Sequence, residues 1–386
     1  MLGLPVQLGM TDEQEAFREA VRRFIQTEVP LTKVRDLYES PEGHERAWWQ
    51  QAARLGWTSL FVDERYGGGS LSGGQVRDAV ILAEEIGRGL APGPFLPVNV
   101  VAAGVSEHGS EALKEQLLPA LVSGEAIAVW AFAERAGRWT VDGSESALED
   151  TGDGLLLTGA KHYVEAAGSA THALVTARWR GLPTQVIVDL DGTGVSVRRG
   201  RSIDMVRRFG VIGFENALVE PDHVVGGLGE AAEAIQRQVQ IAVALQCAEL
   251  VGIADRTLAF TLASGRDRVA CGRSILSFQA LKHRIADMAQ WLEASKALAG
   301  ALAEAVDESD PDAMRLLHVA KAYVGDKATR IVDDCVQITG GIGVTWEHDI
   351  HMYNRRAALL RALYGSPEEH KEGLYRLLEA TVGAGR

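Results

Sequence analysis

The stretch RDRVACGRSILSFQALKHRIADM, residues 266–288, joins a basic loop to the start of a long helical pattern. Arg268 carries a planar fork of N–H donors that suits a phosphate or pyrophosphate group. Gln279 follows near the predicted start of the helix. A solvated basic loop before a core helix explains the same residues, so the stretch indicates an anion site only if other segments contribute to it.

A second stretch, QITGGIGVT (337–345), follows another long helical segment. Gln337 offers a side-chain amide, and Gly340 and Gly341 allow the backbone to approach a ligand or another chain closely. A tight corner between two helices is the simpler interpretation of this stretch when it is taken alone.

The stretch LLRALYGSPEEHKEGL (359–374) predicts a helix that ends and restarts. Gly365 is followed by Ser as N-cap and Pro at the first helical position, which is a stop-and-restart signal. Tyr364 lies at the break. Glu368 and Glu369 fall in the first turn of the new helix, where a carboxylate is more often a partner of the helix dipole than a catalyst.

The secondary-structure pattern of the sequence changes twice along the chain, which predicts three domains. Residues 1–123 read as amphipathic helices, residues 124–228 as short strands rich in β-branched residues, and residues 229–386 as long helices with short connections. Long helices in this arrangement predict a four-helix bundle whose outer faces pack on sister subunits. The expected fold class is α+β in the order helices, sheet, helices.

Local signals place two of the helix starts. Thr11 and Gln14 have the spacing of a capping box at the first helix. Asp310 and Pro311 predict another start, with Asp as N-cap and Pro in the first turn.

The composition bounds the class of protein. Among 386 residues, 46% are hydrophobic and 24% are charged, and the formal net charge is −13, which argues against nucleic acid or an anionic membrane as the main partner. No signal peptide and no membrane-spanning run is visible. Cys247, Cys271 and Cys335 show no CxxC spacing, which favours reduced thiols and a cytoplasmic location.

Several familiar sites are absent from the sequence. It contains no GxxxxGK[ST] phosphate loop, no strand–GxGxxG–helix unit, no GxSxG elbow and no HExxH. Glu347, His348 and His351 have metal-like spacing, but no further ligand is well placed beside them. We therefore expect no metal site.

In combination, these stretches and the helix–sheet–helix layout resemble the acyl-CoA dehydrogenase family over nearly the whole chain. The resemblance implies an N-terminal helical domain, a middle β-domain, a C-terminal four-helix bundle and a dimer of dimers with FAD at subunit interfaces. It also implies that FAD takes a hydride from the β-carbon of an acyl-CoA thioester while a carboxylate removes the α-proton. Electrons would then pass to an electron-transfer flavoprotein.

The sequence departs from the family where the catalytic base is expected. The Glu-Gly pair of the family falls on Tyr364 and Gly365, and the alternative Glu position on the first long bundle helix falls on Ala242. The nearby Asn/Asp-x-x-Arg that helps hold CoA in many relatives reads Gln240 to Val243. The resemblance therefore assigns this chain no catalytic base.

The β-domain departs as well. The Thr-Glu-Pro found near the flavin in relatives reads Ala133, Glu134 and Arg135, which lacks the hydroxyl donor. The later Thr that faces the flavin in relatives falls on Glu165, where an acid beside an electron-rich isoalloxazine looks unfavourable.

The residues that reach a neighbouring subunit's FAD in the family are kept. They are Arg268, Gln279, Gln337, Gly340 and Gly341. This pattern predicts a base-lacking subunit of a heterotetramer, paired with a homologous chain that carries the Glu. It resembles actinobacterial enzymes that act on bulky acyl-CoA thioesters, including steroid side chains.

Three alternatives stay open at the level of sequence. The chain could be a self-sufficient homotetrameric dehydrogenase with an unplaced base, although a tyrosine with its usual pKa of about 10 is a poor base at neutral pH. It could run another flavin reaction on the same fold, such as nitroalkane oxidation or hydroxylation. It could also be a non-enzymatic acyl-CoA-binding or scaffold subunit.

Overall fold

The computed structural model describes residues 9–383 apart from 136, 138, 140–143 and 153. The predicted order is confirmed: N-terminal helices are followed by a middle sheet and then by a C-terminal helical bundle. In the described part of the chain, none of the helices combines the length and the apolar character that crossing a membrane requires.

The N-terminal block consists of helices of different lengths. They run over Asp12–Glu28 (α1), Leu31–Asp36 (α2), Arg46–Arg54 (α3), Gln75–Gly89 (α4), Phe95–His108 (α5) and Glu111–Val122 (α6). The predicted capping box of α1 is confirmed. The backbone N–H of Gln14 donates to Thr11 Oγ1 at 3.2 Å, and the backbone N–H of Thr11 donates to Gln14 Oε1 at 3.1 Å. Two otherwise unpaired N–H groups at the helix start are thereby satisfied.

The middle block is a mixed sheet. Its described strands are Ala128–Ala131 (β1), Ala147–Asp150 (β2), Leu155–Glu165 (β3), His172–Trp179 (β4), Leu182–Asp189 (β5), Val195–Gly200 (β6), Phe209–Val219 (β7) and Val224–Val225 (β8). The spatial order is β6-β7-β3-β2-β4-β5-β8, with β1 parallel to β4. In the antiparallel β3–β7 pair, Glu165 lies opposite Phe209, so the end of β3 meets the residues that precede β7.

The C-terminal block contains long helices and one short hairpin. The elements are Ala232–Asp267 (α7), Val269–Ala270 (β9), Arg273–Ser274 (β10), Gln279–Asp307 (α8), Ala313–Thr339 (α9), Ile350–Ala362 (α10) and Pro367–Gly383 (α11). The predicted start of α9 at Asp310 was wrong. Asp310 closes a turn instead, because its Oδ1 accepts the Asp312 N–H at 2.7 Å.

The described chain divides into two compact units. One unit comprises the segments up to Leu31, Leu71–Ala91 and from Val243 onward, and the other comprises Thr32–Ser70 and Pro92–Ala242. The domain boundaries expected after residues 123 and 228 stay a prediction.

The first unit is organised around α9, which packs against α8, α10 and α11. A buried ion pair between Arg356 and Glu249, with Nη1 and Oε1 2.8 Å apart, ties α10 to α7. The helices on either side of the break, α10 and α11, both pack on α9. This arrangement positions Tyr364.

Candidate cofactor and substrate site

The break between α10 and α11 is a sharp left-handed step. α10 ends at Ala362, and Tyr364 and Gly365 then have φ of 58° and 99°. A left-handed conformation costs a residue with a Cβ about 1–2 kcal/mol, whereas glycine adopts it freely. The fold therefore imposes the strained conformation on Tyr364 and leaves Gly365 relaxed.

Tyr364 occupies the position where the family resemblance puts the base, and its side chain is buried. The two carboxylates that follow it are engaged elsewhere. Glu368 accepts from Arg361 Nη2 at 2.8 and 3.1 Å. Glu369 accepts the Ser366 N–H at 2.7 Å, and Ser366 Oγ accepts the Glu369 N–H at 3.2 Å, which is a capping box.

These hydrogen bonds also make Glu369 a weaker base. The backbone N–H and the hydroxyl of Ser366 stabilise its ionised form and hold the pKa of Glu369 below its usual range. The alternative base position, Ala242, is fully buried on α7 and carries no ionisable group. Neither of the expected base positions, nor the acids next to Tyr364, supplies a free carboxylate.

Arg268 and Gly340 come together at the end of α9. Arg268 Nη1 donates to the carbonyls of Ile338 at 3.2 Å and Thr339 at 2.8 Å. Gly340 has φ of 78° and ψ of −159°, a conformation that only glycine adopts readily, and a Cβ there would lie 3.3 Å from Arg268 Nη1. The guanidinium is thus pinned by one nitrogen and remains exposed to solvent.

The other expected cofactor residues are exposed on the same unit. A Cβ at Gly341 would meet nothing within 4 Å in the described part of the chain, so its surface is open to an approaching group. Gln337 is exposed near the end of α9. Gln279 is exposed at the start of α8 and bonds to His283, with their Nε2 atoms 2.8 Å apart. The structure joins Arg268 to the Gly340 turn and leaves both glutamines exposed.

In the middle sheet, Glu134 is committed to a structural ion pair. Its Oε1 lies 2.6 Å from the buried Nζ of Lys161 and also accepts the Ser146 N–H and hydroxyl. Burial by itself raises the pKa of Glu134, but the Lys161 ammonium and these N–H donors outweigh it and lower the pKa to about 2. Ala133 beside it is buried and offers no side-chain donor.

Glu165 is also paired rather than free. Its carboxylate lies 3.4 Å from Arg207 Nε and 3.5 Å from Arg207 Nη1, and both side chains are buried. The acid that looked unfavourable from sequence is therefore compensated by a cation 42 residues away in the chain. Nothing in the local sequence indicates this partner.

The histidine-rich segment after α9 does not assemble a metal centre. Among the described residues, no group of three or more His, Cys, Asp or Glu side chains converges as a metal site requires. His348 packs edge-on against Phe260, and His351 stacks on Trp346.

Comparison with known proteins identifies the family. The N-terminal domain of acyl-CoA dehydrogenase matches residues 11–125, and its C-terminal domain matches residues 232–378. The acyl-CoA dehydrogenase IpdE2 of Mycolicibacterium smegmatis is 28% identical over 97% of this chain and 100% of that protein. The chain belongs to the acyl-CoA dehydrogenase family of flavoprotein oxidoreductases.

Solved structures share the fold. The ChsE4-ChsE5 complex of Mycobacterium tuberculosis has a TM-score of 0.86 at 23% identity, over 97% of this chain and 99% of that chain. A variant of the Tcur3481-Tcur3483 steroid ACAD has a TM-score of 0.86 at 24% identity, over 96% of this chain and 99% of that chain.

Members of this family bind FAD, and the two sets of residues fit it differently. Arg268 presents free guanidinium donors beside a turn that lacks side chains, which suits a pyrophosphate and a closely approaching ligand. In the middle sheet, Ala133 supplies no hydroxyl, and the buried side chains of Glu165 and Arg207 form an ion pair with each other. The chain's own residues therefore fit the phosphate end of FAD better than its flavin ring.

Sequence reasoning missed one polar group, which lies behind the break. It consists of two hydrogen-bonded pairs: Lys321 on α9 with Gln246 on α7, and His318 on α9 with His370 on α11. A lone lysine within the apolar run HVAKAYVG was the available signal. A buried lysine without a carboxylate partner is rare, which makes this group informative.

Proposed function

We propose that this chain is the base-lacking subunit of a heteromeric acyl-CoA dehydrogenase. The observation that carries the proposal is at the break: Tyr364 replaces the acid, and both following carboxylates are held by Ser366 and Arg361. A phenol with its usual pKa of about 10 removes protons poorly at neutral pH. A homologous chain with Glu at this position would supply the base.

The surface around Arg268 supports an interface role. We define the Arg268 rim as residues 268–270 and 337–346. Besides the cofactor residues, it exposes large apolar side chains, namely Val269, Ile342, Val344 and Trp346. Exposed apolar side chains next to polar ligand-binding groups are typical of surfaces that a partner covers. We infer that the Arg268 rim meets the FAD held mainly by the partner chain.

The chemistry divides between the two chains. FAD, when bound, accepts the hydride that leaves the β-carbon of the acyl-CoA thioester, and an electron-transfer flavoprotein would then take up the electrons. On this chain, Arg268 binds the negative charge of the cofactor phosphates, and the Gly340–Gly341 turn allows the backbone to approach the cofactor closely. The partner's carboxylate removes the α-proton, so this chain contributes binding and positioning.

Similarity to two-chain proteins supports the heteromer. ChsE4-ChsE5 is described as a complex, and Tcur3481-Tcur3483 as a steroid ACAD. We propose that the substrate is likewise a bulky acyl-CoA, such as the thioester of a steroid side chain. We propose that the pocket left unused on this chain makes room for the large acyl group.

The test is acyl-CoA-dependent reduction of an artificial electron acceptor by this chain alone and by the co-expressed pair. We expect turnover only from the pair. Tyr364→Phe should leave the rate within about twofold of wild type, and the exposed Tyr375→Phe serves as its matched control. Turnover by the chain alone that is abolished by Tyr364→Phe would instead support the self-sufficient enzyme.

A further inference from the structure

A buried polar group lies directly behind the Tyr364–Gly365 step. We call it the break cluster and define it as Gln246, His318, Lys321 and His370. All four belong to the first compact unit, and they come from α7, α9 and α11. Gln246, Lys321 and His370 are buried. The proposed chemistry of the heteromer does not use any of them.

The cluster binds one carbonyl in the last turn of α10 and one just beyond that helix. Lys321 Nζ donates to the carbonyl of Leu360 at 2.6 Å and to Gln246 Oε1. His370 Nε2 lies 2.9 Å from the carbonyl of Tyr364. Carbonyls in the last turn of a helix lack an intrahelical partner, and here side chains from neighbouring helices supply one.

The hydrogen bonds fix the tautomers of both histidines. A carbonyl only accepts, so His370 Nε2 must carry the proton that binds Tyr364. In the neutral ring His370 Nδ1 is then an acceptor, and it lies 3.0 Å from His318 Nδ1. His318 Nδ1 must therefore donate. The hydrogen-bond chain from the Tyr364 carbonyl through His370 to His318 is complete only while the His370 ring is neutral, because its Nδ1 must accept.

The surroundings of His370 favour the neutral ring. Burial is the largest cause and lowers the pKa of His370 to about 4, with the Lys321 charge and His318 on α9 acting in the same direction. The hydrogen bond to the Tyr364 carbonyl opposes them, and so does Glu369 on α11, whose carboxylate is held by Ser366. Burial also lowers the pKa of His318.

Lys321 is buried, and two further ionisable groups, Arg361 and Cys247, lie near its ammonium. From α10, the Arg361 charge disfavours the Lys321 ammonium, and from α7 the thiol of Cys247 faces it. Burial raises the pKa of Cys247 to about 12, so this thiol stays neutral near pH 7. In the described part of the chain, no carboxylate forms an ion pair with Lys321. The cluster therefore resists any additional positive charge.

We propose that His370 and Lys321 are positioning residues that hold the strained Tyr364–Gly365 step, and that a second proton on His370 releases it. Protonated His370 would turn Nδ1 into a donor facing the Nδ1–H of His318, so that contact is lost. A buried imidazolium beside Lys321 is costly, so the ring would move toward water. The Tyr364 carbonyl would then lose the bond that buried His370 supplies, while Lys321 keeps its bond to Leu360. His370 therefore restrains the Tyr364–Gly365 step at neutral pH (the closed form) and releases it in acid (the open form).

The lowered pKa of His370 determines how closure of the step depends on pH. His370 titrates near 4 in the closed step and near its usual 6.5 once released, so the open form binds more protons between these values. Closure is fully favoured above pH 6.5 and weakens as the pH falls toward 4. Between pH 7 and pH 5 the opening equilibrium should rise roughly tenfold or more.

The test is amide hydrogen exchange of the full chain in peptides that cover 359–374, at pH 7 and pH 5 and corrected for intrinsic rates. His370→Gln keeps an N–H donor for the Tyr364 carbonyl but does not titrate. We expect the wild type to lose protection at pH 5, and His370→Gln to keep the same protection at both pH values. His108→Gln, at the end of α5, is the matched control and should behave as wild type.

A second measurement on the wild type remains decisive if the variant misfolds. Nitrogen NMR of labelled histidines should show His370 as the Nε2–H tautomer at pH 7. A His370 that titrates near 6.5, or equal pH dependence of protection in wild type and His370→Gln, would overturn the proposal. Because neither result depends on a flavin or a partner, failure here is separate from failure of the heteromer.

Discussion

The buried ammonium of Lys321 donates to the carbonyl of Leu360 at 2.6 Å, and Leu360 lies four residues before Tyr364. A cation from α9 thus stabilises the C-terminal end of α10, where the helix dipole is negative. Its cost is desolvation without a carboxylate partner. A buried lysine therefore holds the helix end that precedes Tyr364.

The Lys321 ammonium should make stability depend on pH. Burial lowers its pKa to about 7, so between pH 7 and the usual value of 10.5 the unfolded chain binds more protons than the folded chain. This penalty is complete below pH 7 and is relieved as the pH rises. From pH 7 to pH 9 the wild type should gain about 2 kcal/mol relative to Lys321→Met.

Urea unfolding at the two pH values measures this difference. Lys371→Met, an exposed change on α11, is the control and should follow the wild type. Parallel curves for wild type and Lys321→Met would show that Lys321 keeps an ordinary pKa in the folded chain.

Removing one partner of the Glu165–Arg207 pair should lower the free energy of unfolding much more than replacing both partners with apolar side chains. Removing one partner leaves a buried charge, which costs about 3 kcal/mol, whereas an apolar pair of similar volume is often tolerated. We expect Arg207→Met to lower the free energy of unfolding by about this amount, and Glu165→Leu/Arg207→Met to recover most of it. Denaturant unfolding of both variants gives the answer.

The exposed pair Arg201–Glu39 serves as comparison, because surface ion pairs contribute about 0–1 kcal/mol. If Arg207→Met were no more destabilising than Arg201→Met, the buried pair would contribute no more to the free energy of unfolding than the exposed pair does.

Arg268→Ala should weaken FAD binding by the co-expressed pair roughly 10- to 100-fold, the value of one to two charge-assisted hydrogen bonds. Arg266→Ala, two residues earlier and also exposed, is the matched control. Fluorescence titration of the flavin-stripped pair measures both. Equal affinities would remove Arg268 from the cofactor site.

Gly341→Ala tests the open surface of the Gly340–Gly341 turn. The added methyl group meets nothing within 4 Å in the described chain, so stability of the free chain should be unchanged. Flavin content of the pair should nevertheless fall, because the methyl group occupies space beside Arg268 that we assign to the cofactor. Gly300→Ala on α8, which also meets nothing, should leave flavin content unaltered. A fully loaded Gly341→Ala pair would contradict this assignment.

The sequence predicted features that depend on neighbouring residues. The Gly-Ser-Pro restart at 365–367 and the capping box at Thr11 are both confirmed, because each is set by local backbone chemistry. Asp310 failed as a predicted N-cap because the Asp-Pro signal also suits a turn two residues before the helix.

Long-range pairs could not be predicted in the same way. Arg207 neutralises Glu165 only because β3 and β7 pair in the sheet, and nothing in the local sequence links them. Lys321 reaches Leu360 through the packing of α9 on α10, which depends on tertiary structure. The presence of Tyr364 where the family resemblance puts an acid is visible in the motif, whereas the buried Lys321 on the nearby Leu360 carbonyl is not.

The measurement that tests the account most directly is flavin content per chain, from the absorbance of protein purified alone and of protein co-expressed with a homologous chain that carries the Glu. We expect little flavin in the chain alone and one FAD per pair with the partner. One FAD per chain in the protein purified alone would contradict the account, because it would show that this chain completes its own flavin site.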